Sequence, residues 1–451
     1  MSNNMKPIHP TNSPSEGRQV QPDGVVPKLR FPEFWDMGEW EEIKLIDVTD
    51  KKIKWSFIGG PFGSNLKSSD YATNGIRIIQ LQNIGDAEFI DDYKVFTTEQ
   101  KANELLSCNI YPGDIILSKM GDPVGRACLI PNKNARYVMC SDGIRLVVDK
   151  QRFSKYFIYS LINSVRFRDL VEKTATGSTR KRIGLDDLKN LPMLVPKLEE
   201  QQKIADCLSS LDDRLTAETQ KLGTLKVHKK GLMQQLFPVE GETLPKLRFP
   251  EFCDTEEWEK QKVSSLLKRV SNPVNVDLDE MYRQIGIRSH GKGIFHKELV
   301  SGRELGNKRV FWVEEDAFVV NIVFAWEQAV ANTSTTEKGM IASHRFPMYK
   351  AKANKSDVSY IKYFFLTNKG KSLLGIASPG GAGRNKTLGQ KEFENLEFIL
   401  PEKVEEQTKI AKCLLSLDEL ITAQTQKIDT LKVHKKGLMQ QLFPVLDEVM
   451  G

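Results

Sequence analysis

An alternation of apolar positions every three, four or seven residues occurs twice along the chain. Between residues 199 and 237 it runs through Ile204, Leu208, Leu211, Leu215, Leu222, Leu225, Leu232 and Leu236. This spacing sets a narrow heptad seam on a helix rather than a broad globular face. Between residues 405 and 443 the same seam returns as Ile410, Leu414, Leu417, Ile421, Ile428, Leu431, Leu438 and Leu442. Neither stretch holds an interior proline, and both end at Phe-Pro (Phe237-Pro238, Phe443-Pro444), where the helical ladder cannot continue. Each is predicted to be one long helix, about 58 Å at 1.5 Å per residue, and two seams in one chain are expected to pair as an antiparallel coiled coil. A rod of that length could hold two bodies well apart from each other. Polar residues interrupt both seams at matching places, Glu218 with Gln424 and Lys229 with Lys435. They either fix the register of the pair or are ordinary solvated side chains.

Outside the seams the pattern shortens. Strand-like runs at 75–81, 114–118 and 143–148 are separated by Gly, Asn and Asp turns. A helical pattern follows at about 155–172, with a counterpart near 358–374. Strands followed by a late helix predict a twisted sheet capped on one side. The fold class is α+β, with two pseudo-repeated mixed α/β domains each followed by a long helix.

The halves are copies of one another at their ends. Pro27-Lys-Leu-Arg-Phe-Pro-Glu-Phe34 recurs letter for letter at 245–252, and Trp40 recurs at Trp258. Leu225-Lys-Val-His-Lys-Lys-Gly-Leu-Met-Gln-Gln-Leu-Phe-Pro-Val239 recurs at 431–445. The bodies between the matched ends resemble each other only faintly. Ends that each contact a copy of the same partner must stay alike, whereas bodies that contact different things are free to differ; drift after a recent duplication is the alternative. The expected organisation is a disordered polar tail at 1–26, a first mixed α/β body at 27–190, a boundary and long helix at 191–244, a second body at 245–395, and a distal boundary and long helix at 396–451.

Composition narrows the chemistry only modestly. In 451 residues, 40% hydrophobic and 27% charged, the formal charge is +6, which suits a nucleic-acid partner without requiring one. Six cysteines form no CxxC pair and lie near no His at ligand spacing, so zinc and redox motifs lack support. No signal sequence or apolar stretch of membrane-spanning length is present, so a cytoplasmic location is expected.

Candidate contacts lie in Gly-rich basic loops. Residues 176–184 carry Arg180, Lys181 and Arg182, and residues 379–387 carry Arg384, Asn385 and Lys386. These side chains suit phosphate oxygens, and Arg or Asn can also make paired hydrogen bonds to guanine or adenine edges; solvated basic loops are the alternative. Residues 118–126, with Lys119 and Arg126, and residues 286–293, with Arg288, Ser289 and Lys292, are further candidates. The latter segment contains GxxxxGK, but Gly293 stands where a nucleotide-binding loop needs Ser or Thr for magnesium, and no convincing helix follows. No catalytic, cofactor or metal residue is expected.

The arrangement resembles the specificity subunits of type I restriction-modification systems over essentially the whole chain after residue 26. The resemblance rests on two dissimilar bodies, each followed by a Leu-Pro boundary such as Leu191-Pro192, then Glu200-Gln-Gln-Lys-Ile-Ala205 or Glu406-Gln-Thr-Lys-Ile-Ala411, then a helix ending Gly-Leu-Met-Gln-Gln-Leu-Phe-Pro. It implies a non-catalytic subunit that reads a split DNA site, one half per body, with the paired helices setting the gap. It implies partners as well: double-stranded DNA, two modification subunits and up to two restriction subunits. N6-adenine methylation from S-adenosylmethionine, and ATP- and Mg-dependent cleavage, would belong to those partners. The polar tail before Pro27 is a departure from a minimal member. Two rival readings remain, a coiled-coil DNA-binding regulator without a methylase partner, and a divergent stand-alone methyltransferase or nuclease.

Overall fold

The computed structural model describes residues 26–380 and 386–444; the expected tail at 1–26 lies, but for Val26, outside them. The two seams form single helices, Leu198–Leu236 and Val404–Leu442. The chain folds into two compact units. One holds the chain up to Thr216 together with the chain from Asp429 on, and the other is Ala217–Ile428. The division cuts through both long helices, so each unit owns the start of one helix and the end of the other.

Inside the first unit Asp212, near the start of the first helix, pairs with Lys435, near the end of the second. Inside the second unit Asp418 pairs with Lys229 in the same way. A start that meets an end in both places makes the pair antiparallel. Gln424 Nε2 donates to Glu218 Oε2 at 2.7 Å and to the Glu218 carbonyl at 2.9 Å, and Lys427 also pairs with Glu218. All four polar seam residues are therefore hydrogen-bonded, which favours the register reading of those positions over loose solvated side chains.

The bodies, faint relatives in sequence, share one strand order. In the first unit a four-stranded antiparallel sheet runs Phe57–Gly59, Gly143–Leu146, Ile115–Ser118, Ala127–Leu129. In the second it runs Leu267–Val270, Met348–Ala351, Phe318–Val320, Val330–Asn332, the same order along the chain. A second sheet follows suit. Tyr137–Met139 lies parallel to Ile76–Ile79 and antiparallel to Asn109–Ile110; Ile341–Ser343 lies parallel to Met281–Ile287 and antiparallel to Val310–Trp312. Each body thus has two main sheets, beside two-stranded ribbons, where one sheet was expected. The predicted single helix at about 155–172 is also two, Lys155–Ile162 and Val165–Thr174, because Ser164 accepts a hydrogen bond from the Phe167 N–H and starts a new N-terminus. Thr367 does the same between Val358–Leu366 and Asn368–Ile376.

The repeated Glu-Gln pair explains how each body is held on its helix. Glu200 is 1% exposed and accepts two hydrogen bonds from the Arg30 guanidinium, at 2.9 and 2.7 Å, and one from Trp40 Nε1 at 3.3 Å. Glu406 does the same for Arg248 and Trp258. Gln201 accepts from the Ser154 N–H and donates to the Pro196 carbonyl; Gln407 accepts from the Asp357 N–H and donates to the Pro401 carbonyl. The Glu therefore binds the PKLRFPEF segment, while the Gln ties the start of the body helix to the Leu-Pro boundary. The far end of the other helix completes the core: Phe443 packs on Phe157 with centroids 5.6 Å apart, and Phe237 on Tyr360 at 5.3 Å. Burying a side chain of that size stabilises by about 1.5–3 kcal/mol.

Candidate nucleic-acid interface

In the first unit the basic candidates gather at one end of the four-stranded sheet. Ser118, which ends its strand, pairs with Gly143, which begins the adjacent one. Just beyond, the Lys119 N–H donates to the Asp142 carbonyl at 2.6 Å, and the Ile183 N–H donates to the Lys119 carbonyl at 3.0 Å. This ladder lays the short strand Lys181–Arg182 against Met120–Gly121. Gly121 has φ +142°, a conformation that side chains resist, and a Cβ there would come within 3.4 Å of the Arg126 guanidinium. Lys119, Arg126, Lys181 and Arg182 are thus brought together from segments some sixty residues apart, and Arg180 is exposed at the neck of the same ribbon.

The charges in this cluster are incompletely balanced. Arg182 donates to Asp142 Oδ1 at 2.9 Å, and Lys181 pairs with Glu172. Arg126 Nε and Arg168 Nε are buried without a hydrogen-bond partner among the described residues. Burial lowers the Arg168 pKa from its ordinary value, with nearby Arg126 acting in the same direction and Asp86, 3.5 Å away, opposing both. Guanidiniums held this way gain from an added anion, and a phosphate oxygen supplies one.

The second unit builds the corresponding sheet end differently. The counterpart of the 119–126 loop is the 321–329 loop: the Ile322 N–H donates to the Arg345 carbonyl at 3.0 Å, and the Leu388 N–H to the Ile322 carbonyl at 2.8 Å. Lys386 sits 5.7 Å from the Trp326 ring centre. The 288–293 turn docks on the same loop, with Ser289 Oγ donating to Glu327 Oε2 at 2.8 Å and the Gly291 N–H to the Gln328 carbonyl at 3.0 Å. Arg288 lies over Phe295 at 4.7 Å, and Lys292 is exposed. Arg288, Ser289, Lys292 and Lys386 therefore surround one loop; Arg384 and Asn385 lie outside the described residues.

Aromatic residues also stand at the second sheet end, outside the Gly-rich basic pattern of the sequence. Trp326 and exposed Phe324 stand between two buried strands, Phe318–Val320 and Val330–Asn332; an aromatic pair in so short a connection was the available signal. Along the helices, Leu208, Leu414, Leu417 and Ile428 are buried, while Leu211, Leu215, Leu222, Leu225, Ile421 and Leu431 are half-buried among exposed neighbours. No group of residues placed to hold a metal ion occurs among the described residues, and no helix among them is long and apolar enough to cross a membrane.

The family model of the type I restriction modification DNA specificity domain matches residues 37–227 and 313–433, more than half the chain. The chain belongs to this family. Its relatives include the provisionally named type I restriction enzyme MjaX specificity subunit of Methanocaldococcus jannaschii, 23% identical over 388 residues that cover 82% of this chain and 86% of that protein. Another is the type I restriction enzyme MjaVIII specificity subunit of the same organism, 22% identical over 44% of this chain and 45% of that one. The crystal structure of the type I restriction-modification system S subunit from M. genitalium shares the fold, with a TM-score of 0.58 at 16% identity over 94% of this chain and all of that one. This specificity subunit therefore carries two domains of one topology, as its family match in two stretches indicates.

Proposed function

We propose that this specificity subunit reads a two-part DNA target, one half with the sheet end of each unit, and holds partner subunits that perform N6-adenine methylation and restriction. It contributes recognition and no chemistry; S-adenosylmethionine, ATP and magnesium would be bound by the partners. One observation carries this reading. The letter-for-letter repeats meet inside each unit, the Leu29 N–H donating to the Gln441 carbonyl at 3.0 Å in the first and the Leu247 N–H to the Gln235 carbonyl at 2.9 Å in the second. Each unit thereby presents the same composite surface, assembled from 27–34 with 431–444 or from 245–252 with 225–239, and each also has a sheet end of its own. Two like surfaces suit two copies of one methyltransferase subunit, and two unlike sheet ends suit two unlike half-sites.

Modified-base sequencing tests the proposal in cells that express this chain with the methyltransferase encoded beside it, compared with cells lacking the chain. The expected result is methylated adenine in a split motif that depends on the chain. Methylation that is unchanged without it would refute the reading.

A further inference from the structure

Phe62 is 82% exposed, more than any other large apolar side chain among the described residues. Leaving a phenylalanine in water forgoes the hydrophobic gain of burying it. Its backbone is nevertheless fixed. The Gly60 N–H donates to the Gly143 carbonyl at 2.7 Å, and a Cβ on Gly60 would lie 1.7 Å from the Cys140 carbonyl oxygen, so only glycine can pass there. Pro61 is buried, and the Phe62 carbonyl accepts from the Asn65 N–H at 2.8 Å, closing a turn around the exposed ring.

The anchor of this turn is also the anchor of the basic cluster. Gly143 follows Asp142, whose carbonyl receives the Lys119 N–H and whose carboxylate receives Arg182. The turn leaves strand Phe57–Gly59 at the end where Ser118 and Gly143 meet, so Phe62 and the basic ribbon share one sheet end. Phosphates reward the cations of such a surface but offer nothing to an aromatic ring. Bases do, through a thymine methyl or an opened base step.

Resting on the function proposed above, we propose that Phe62 makes an apolar contact with a base of the first half-site and sets specificity at that position. The strand leaving the corresponding sheet end of the second unit, Leu267–Val270, continues into Ser271-Asn272-Pro273 without an aromatic residue. An aromatic contact from this strand therefore belongs to the first half-site alone.

The test is selection from a random pool of duplexes by the full chain purified with its methyltransferase, using wild type, Phe62→Ala and Phe62→Leu. Wild type is expected to enrich a split motif; if it enriches none, the proposed function fails and takes this contact with it. Given a wild-type motif, Phe62→Ala should relax one position of one half and leave the other half unchanged. Affinity for the selected duplex should fall about tenfold with the salt dependence intact, because an apolar contact releases no counterions, and Phe62→Leu should retain part of it. An unaltered motif would overturn the proposal. So would a loss of affinity with a shallower salt dependence, which would mean that the turn merely supports the basic residues. Thermal melting checks that the variants fold, as removal of an exposed ring predicts.

Discussion

Tyr363 donates its hydroxyl to Asp418 Oδ2 at 2.7 Å, on the carboxylate that also receives Lys229 from the opposing helix. Tyr156 makes the same bond to Asp212, which receives Lys435. One aspartate in each unit thus joins the body to both long helices. Burial and Asp418 push the Tyr363 phenol well above its ordinary value, which keeps it a donor. Tyr363→Phe should cost about 1.5–3 kcal/mol, the range for a hydrogen bond to a charged group. Urea unfolding of the variant measures it, and no change in midpoint would remove the bond from the set that holds the body.

Glu200→Ala should be more damaging. It leaves the Arg30 guanidinium, whose side chain is 8% exposed, and Trp40 Nε1 without their acceptor. Breaking a buried pair from one side costs about 3–5 kcal/mol. Calorimetry should show a large fall in melting temperature, and Glu406→Ala should reproduce it in the second unit.

Arg180→Ala and Asp142→Ala should act oppositely on DNA affinity. Loss of Arg180 removes a cation from the ribbon, weakening binding by about 1–3 kcal/mol with altered base preference if the contact is bidentate to a base. A phosphate contact would instead weaken all duplexes alike and flatten the salt dependence. Loss of Asp142 releases Arg182 from its partner and should tighten non-specific binding. Salt titrations by fluorescence anisotropy separate these outcomes.

Asp91 provides a pH signature. Its pKa is lowered to about 2 from an ordinary 3.8, chiefly by the hydrogen bond from Lys133 and then by Arg77. A carboxylate with a depressed folded pKa contributes stability above its unfolded value and loses it as pH falls through the folded one. Asp91→Asn should therefore destabilise at pH 7, with the deficit shrinking below about pH 4 and vanishing only as the pH falls below the folded value of about 2. Denaturation midpoints of both proteins across that range test the window.

Inserting one heptad into both long helices should lengthen the spacer of the DNA motif and leave its halves intact, if the helices act as a ruler. An unchanged spacer in modified-base sequencing would refute that role.

Much of this was legible in the chain because it is local or repetitive. A heptad seam is a property of spacing, so the two helices and their ends could be read directly, to within a residue. The repeats announced two alike halves, and of the Gly-basic loops the structure brings Lys119, Arg126, Lys181 and Arg182 to one sheet end. The helix break at Ser164 went unread because an N-cap inside an apolar run competes with the helical period only through one hydrogen bond. What tertiary structure alone decided is which segments meet. Contacts such as Ile183 to Lys119, or Leu29 to Gln441, join residues far apart in sequence, and no local spacing encodes them. For the same reason the common strand order of the two bodies was hidden: many apolar sequences satisfy one topology, so unlike residues can build the same sheet while its loops carry different contacts.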